Sequence, residues 1–190
     1  GWMTVSNIIS PIMVYFDRFI ISNMLGANQV AYYTAPSEGI SRALNVPGAL
    51  ARALFPKLSS ATSKSEKNHL EKVSYLLIAS VCLSMIMLGF VYAQEIMIIW
   101  MGDEYIGEPV AILKILLIGF FFNALSQIPF AKIQAAGRSN VTAMLHLIEV
   151  VPYLVLMYIL LHFYFLSGVA IAWVVRVIID FFALYFLSRE

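Results

Sequence analysis

Apolar positions along this chain gather into six stretches, each close to the roughly 20 residues that a membrane-spanning helix needs. They fall at 3–25, 31–55, 73–93, 110–131, 140–162 and 167–188, and predict an all-α membrane protein in which residues 1–190 form one six-helix transmembrane bundle. The connections are short apart from 56–72 and 94–109, so no segment is large enough for an extramembrane domain. Segment 95–101 (EIMIIWM) reads either as an interfacial extension of the third span, with Trp100 and Tyr105 at headgroup level, or as the end of a longer tilted helix. Pro11, Pro36, Pro47, Pro129 and Pro152 lie inside or at the ends of spans, where each removes a backbone donor and favours a kink.

Polar positions inside the spans follow the helical repeat of about 100° per residue. In the first span Ser6, Asn7, Ser10, Asp17 and Arg18 occupy roughly a third of the circumference. Glu38, Ser41, Arg42, Asn45 and Arg52 form a stripe about 100° wide in the second. Asn123, Ser126, Gln127 and Gln134 share a face of the fourth. Thr142, His146, Glu149 and Tyr153 lie within about 60° of one another in the fifth. The last span carries Arg176 and Asp180 near its middle. The third has only Ser74, Ser80, Ser84 and Cys82, and is expected to pack outside against lipid. Lys114 and Lys132 lie opposite the Asn123–Gln127 face near span ends, where a lysine can reach the interface.

A charge at mid-membrane costs at least ~2.5–3.5 kcal/mol on insertion scales. The stripes therefore predict that one side of several helices faces a polar pathway rather than lipid. The alternative is structural, with Asp17 and Arg18, Glu38 and Arg42, and Arg176 and Asp180 paired to fix helix packing. Glu38 and Arg42, like Arg176 and Asp180, have the four-residue spacing of an intrahelical pair. Arg18, Arg42, Arg52 and Arg176 balance Asp17, Glu38, Glu149 and Asp180, so the pathway would be hydrated and of mixed charge. Glu149 is expected to pair with a cation such as Arg176 or Arg42, or else to serve proton coupling.

Composition agrees. Hydrophobic residues make up 61% of the chain and charged residues 12%, about half the share usual in soluble domains. The mean hydropathy is +0.84. The net charge of +1 gives no reason to expect nucleic acid as a partner. The placement of charge is more telling. Lys57, Lys64, Lys67 and Lys72 fall between the second and third spans, Lys132 and Arg138 between the fourth and fifth, and Arg189 after the last. The alternate connections lack Lys and Arg, and one of them carries Glu95, Asp103, Glu104 and Glu108. The positive-inside bias then places both termini in the cytoplasm.

One cysteine, Cys82, excludes an intrachain disulfide and a cysteine-based metal site. His69, His146 and His162 lie at different depths or on different elements, so no metal site is expected. Phosphate-loop, H-E-x-x-H and G-x-S-x-G patterns are absent, and an enzyme is not expected. A membrane glycosyl polymerase would need a larger outer loop than these connections offer. The start at Gly1-Trp2 shows no basic region of a cleavable signal, and the lack of an initiator Met suggests a fragment or a processed chain.

The series GWMTVSNIISPIMVYFDRF, YYTAPSE, PGALARALFP, WMGDEY, QAAGR with HLIE following, and GVAIAWVVRVIID resembles polysaccharide flippases of the multidrug/oligosaccharidyl-lipid/polysaccharide (MOP) superfamily. It matches best their second, C-terminal six-helix lobe. The resemblance implies a V-shaped pair of bundles around a hydrophilic cavity in the bacterial cytoplasmic membrane. An undecaprenyl-diphosphate-linked oligosaccharide would be flipped between leaflets by alternating access, for cell-surface polysaccharide synthesis. The pathway residues it implies are Asp17, Arg18, Glu38, Arg42, Arg52, Glu149, Arg176 and Asp180. Arginines would meet the diphosphate, while Asn123, Gln127 and the carboxylates would meet sugar hydroxyls. No cofactor is implied, and coupling to H+ or Na+ stays open. Partners are the lipid-linked substrate, membrane lipids, and either a missing N-terminal lobe or a second copy. Two other readings remain: a drug or cation antiporter of the same superfamily, resembling the multidrug and toxin extrusion (MATE) type, and a non-transporting scaffold subunit of a polysaccharide assembly complex.

Overall fold

The computed structural model describes residues 16–60 and 63–189, and these are almost entirely helical. Helix α1 covers 16–25 of the described chain, followed by α2 (Ala27–Ala43), α3 (Asn45–Ser60), α4 (Lys64–Val91), α5 (Ala93–Met101), a 3-10 turn (Asp103–Tyr105), α6 (Glu108–Ala135) and α7 (Ser139–Leu187). Residues 3–15 of the first expected span, with Ser6, Asn7, Ser10 and Pro11, lie outside the described residues.

The second expected span is two helices. Pro47 has no N–H to donate to the carbonyl of Ala43, and the helix breaks at Leu44, between α2 and α3. Pro36, Pro129 and Pro152 sit inside helices that continue through them. The connection expected at 56–72 is largely helical, because Ser63 caps α4. Its side chain accepts from the Glu66 N–H at 3.1 Å, in the Ser-x-x-Glu pattern of a capping box. The 95–101 segment belongs to α5, a helix set off from α4 by a break at Tyr92 (φ −104°, ψ 23°).

Ser139–Leu187 forms 49 residues of nominally single helix, but Phe165 has φ 51° and ψ −140°. In a straight helix Glu149 and Arg176 would stand about 40 Å apart at 1.5 Å per residue. Instead their side chains meet at 3.5 Å, and a Cβ on Gly168 would sit 2.0 Å from the Leu160 carbonyl oxygen. The chain therefore folds back at Phe165, and α7 is an antiparallel hairpin of the fifth and sixth expected spans. The dihedrals of Phe165 are near those of the first central residue of a type II′ turn, a position that favours glycine.

Helix α6 is the hub, packed against α2, α3, α4 and α7. Most of its residues are apolar, and Ile112, Leu116, Phe120, Ala124 and Ile128 are buried along it. Close crossings depend on missing side chains: a Cβ on Gly119 would lie 2.3 Å from the Trp173 ring, and one on Gly89 2.9 Å from Leu117. Helix α4 is peripheral, with only 17% of its apolar window buried and Leu76, Leu83 and Met87 exposed. The third span thus packs outside, as its lack of charge suggested.

Among the described residues, Ser65–Val91, Glu108–Ala135 and the Ser139–Leu187 hairpin are long and apolar enough to cross a membrane by length and composition. Contacts also sort the connections by end. Tyr32 meets Tyr105 edge-on at 5.3 Å, and Trp100 lies against Gly39, so the α1–α2 turn and the acidic 95–108 stretch share one end. At the other end Lys132 pairs with Glu71 at 2.8 Å, and Arg138 donates to the Leu187 carbonyl at 3.3 Å. There α6 stops in a Schellman motif. Gly137 takes φ 74°, its N–H reaches the Gln134 carbonyl, and the Arg138 N–H reaches that of Ile133.

Candidate functional site

Asp17 and Arg18 are neighbours in sequence, so their side chains leave α1 about 100° apart and reach different helices. Asp17 turns inward and is 3% exposed. Both its carboxylate oxygens lie 2.8 Å from the Tyr153 hydroxyl, which donates across from the first limb of α7. Beside them a cavity of about 40 Å3 is lined by Asp17, Tyr33, Ser37, Ser41 and Trp173 among others. Its lining mixes polar side chains with Ile40, Leu116 and Trp173, and it is large enough for an ordered water.

Tyr153 links this carboxylate to a second cluster. The Arg176 guanidinium lies 5.5 Å from the centre of the Tyr153 ring, and its Nε donates to Glu149 Oε2 at 3.5 Å. One turn along, Asp180 Oδ1 stands 3.7 Å from His146 Nε2, and His146 stacks on Phe130. Glu149, His146 and Asp180 are all buried. Their Oε1, Nδ1 and Oδ1 atoms respectively have no hydrogen-bond partner among the described residues. Such orphaned polar atoms are costly and mark a site with room for further polar partners. No group of three or more His, Cys, Asp or Glu side chains able to hold a metal ion occurs among the described residues.

Arg18 turns to the other side of α1 and meets Glu38 of α2 at 2.5 Å. This pair is partly exposed, at 28% and 42% of the two side chains. It replaces the expected Glu38–Arg42 pairing, because the neighbouring helix offers a closer cation than the next turn of α2. The expected Arg176–Asp180 pair gives way in the same manner to Arg176–Glu149, formed across the α7 hairpin. Arg42 and Arg52 are exposed on α2 and α3. Asn123 and Gln127 are half-buried on α6 and take no part in the hydrogen bonds of either cluster. Lys132 is bound to Glu71 rather than free at the interface.

Tyr153 and His146 belonged to the same polar stripe as Glu149, so their helical phase marked them. Tyr33 had no such mark, since an apolar-looking tyrosine becomes a candidate only once Asp17 is found beside it.

Residues 1–108 match the family described as polysaccharide biosynthesis protein. The chain belongs to this family. A Shigella flexneri protein named "Putative O-antigen transporter" is 50% identical over 187 residues, covering 98% of the chain and 45% of that protein. The chain thus spans about half the length of its curated relative. Among solved structures, a mutant form of the Vibrio cholerae MATE transporter VcmN superposes with a TM-score of 0.81 at 19% identity, over 97% of this chain and 43% of that one. The bent form of VcmN gives 0.72 over the same shares. At this identity the likeness speaks for the fold. Together with its apolar helices, it makes this member of the polysaccharide biosynthesis family a multi-pass membrane protein with a MATE-type fold.

Proposed function

We propose that the chain is the C-terminal six-helix lobe of a flippase that moves a lipid-linked oligosaccharide across the bacterial cytoplasmic membrane by alternating access. Both termini of the lobe are cytoplasmic in this reading. The observation that carries it is a connected set of buried charged and tyrosine side chains running from Asp17 to Asp180 inside an apolar bundle of the polysaccharide biosynthesis family. Arg18 and Glu38 are partly exposed and Arg42 and Arg52 exposed on α1–α3, and in this reading the arginines offer bidentate contacts to a diphosphate. Asn123 and Gln127 are assigned to sugar hydroxyls. The buried carboxylates Asp17, Glu149 and Asp180 provide for H+ or Na+ coupling.

The test uses the full-length protein in a strain lacking its own O-antigen flippase. Arg42→Ala is expected to abolish surface polysaccharide while membrane insertion stays normal; wild-type levels of polysaccharide would overturn the assignment. Glu149→Gln is expected to abolish transport driven by a pH gradient, and unchanged transport would exclude Glu149 from coupling. The MATE-type fold and the buried carboxylates also favour a second reading, a cation or drug antiporter. Efflux of an organic cation by the full-length protein, with no effect on surface polysaccharide, would establish that reading instead. Loss of assembly alone in the Arg42 variant would point to a scaffold.

A further inference from the structure

At the basic end of the bundle, a groove of about 990 Å3 opens between the start of α4, the end of α6 and the end of α7. Lys72 and Tyr75 of α4, Lys132 of α6, and Phe181, Tyr185 and Arg189 from the end of the chain line it. None of the residues assigned above to the transport pathway does. Three cations face one carboxylate, Glu71, which is already bound to Lys132 at 2.8 Å. A net charge of +2 is left, concentrated at the exposed Lys72 and Arg189.

An aromatic group holds one of these charges, that of Arg189, in place. The Arg189 guanidinium lies over the Tyr185 ring at 4.3 Å and donates to the Tyr185 hydroxyl. Tyr75 meets Tyr185 edge-on at 6.5 Å. The Tyr75 hydroxyl is buried with no hydrogen-bond partner among the described residues, so it is a donor in want of an acceptor. Beyond the charged end, α4 continues as an exposed apolar flank through Leu76, Leu77 and Leu83, and Phe182 adds apolar surface at the rim.

We propose that this groove holds an anionic membrane phospholipid. Lys72, Arg189 and the Tyr75 hydroxyl take the phosphate headgroup, and the acyl chains run along α4. Basic pockets between membrane helices recognise lipid headgroups through this combination of charge and donors. A free phosphate ion would use the same donors but leave the apolar flank of α4 without a role.

The experiment uses the full-length protein in detergent and measures retention of phosphatidylglycerol and of phosphatidylcholine by native mass spectrometry. Phosphatidylglycerol should bind about tenfold more tightly, and the preference should shrink at about 0.5 M salt, where exposed charges are screened. Lys72→Gln combined with Arg189→Gln should remove the preference and leave phosphatidylcholine retention unchanged. The charge-conserving pair Lys72→Arg and Arg189→Lys should keep it, which separates lost charge from lost folding. Equal retention of the two lipids by the wild type would overturn the proposal, as would an unchanged preference in the glutamine variant. Displacement of phosphatidylglycerol by inorganic phosphate alone would reduce the groove to a free-anion site and overturn the lipid assignment. One-for-one displacement by undecaprenyl phosphate would place the groove on the carrier's path and overturn its separation from that path.

Discussion

The charges of α1 and α7 and those of α2 and α3 differ most in burial. Asp17, His146, Glu149 and Asp180 are buried among helices, and each is held by a partner from another helix or from the other limb of the hairpin. Arg42 and Arg52 are exposed, and the Arg18–Glu38 pair is partly exposed. Burial changes what an ion pair is worth. Breaking a buried pair leaves a desolvated charge, whereas breaking an exposed one merely returns two groups to water. The first region should therefore govern stability, and changes in the second should have little effect on it.

Arg176→Ala offers the strongest test, because it removes the cation from Glu149 and the packing from Tyr153 together. It is expected to destabilise the fold by about 3–5 kcal/mol, measured as thermal unfolding in detergent. A loss no larger than that of an exposed pair would erase the distinction between the regions. Tyr153→Phe removes the hydroxyl that serves both oxygens of Asp17, and should cost about 1.5–3 kcal/mol in the same assay. A double-mutant cycle on Arg18 and Glu38 should give a coupling energy of less than about 1 kcal/mol, given their exposure. Arg42→Ala closes the series: no measurable change in unfolding temperature is expected, while surface polysaccharide is lost. Were its stability to fall as far as that of the Arg176 variant, α2 would have to be counted with the buried network.

The legibility of the site in the sequence follows the same division. Helical phase grouped Glu149 with His146 and Tyr153, and all three come together around Arg176 and Asp180. Phase could not assign partners. A stripe 60–120° wide holds several charges, and each pair depends on which helix lies alongside. The two four-residue pairings fail for that reason, since Arg18 and Glu149, presented by neighbouring segments, take the places of Arg42 and Asp180.

Local sequence by itself determined the all-helical character of the chain, the segregation of basic and acidic connections, the peripheral position of α4 and the membership of each polar stripe. Hydropathy, helical period and capping act within a few residues, and read directly from the chain. Only the tertiary structure decided that α6 is the hub, that the expected reversal between the last two spans is made at Phe165 with positive φ, and that Asp17 lies against Tyr153, 136 positions away. Those outcomes depend on the packing of whole helices, where a glycine such as Gly119 or Gly168 matters through the neighbour it lets approach.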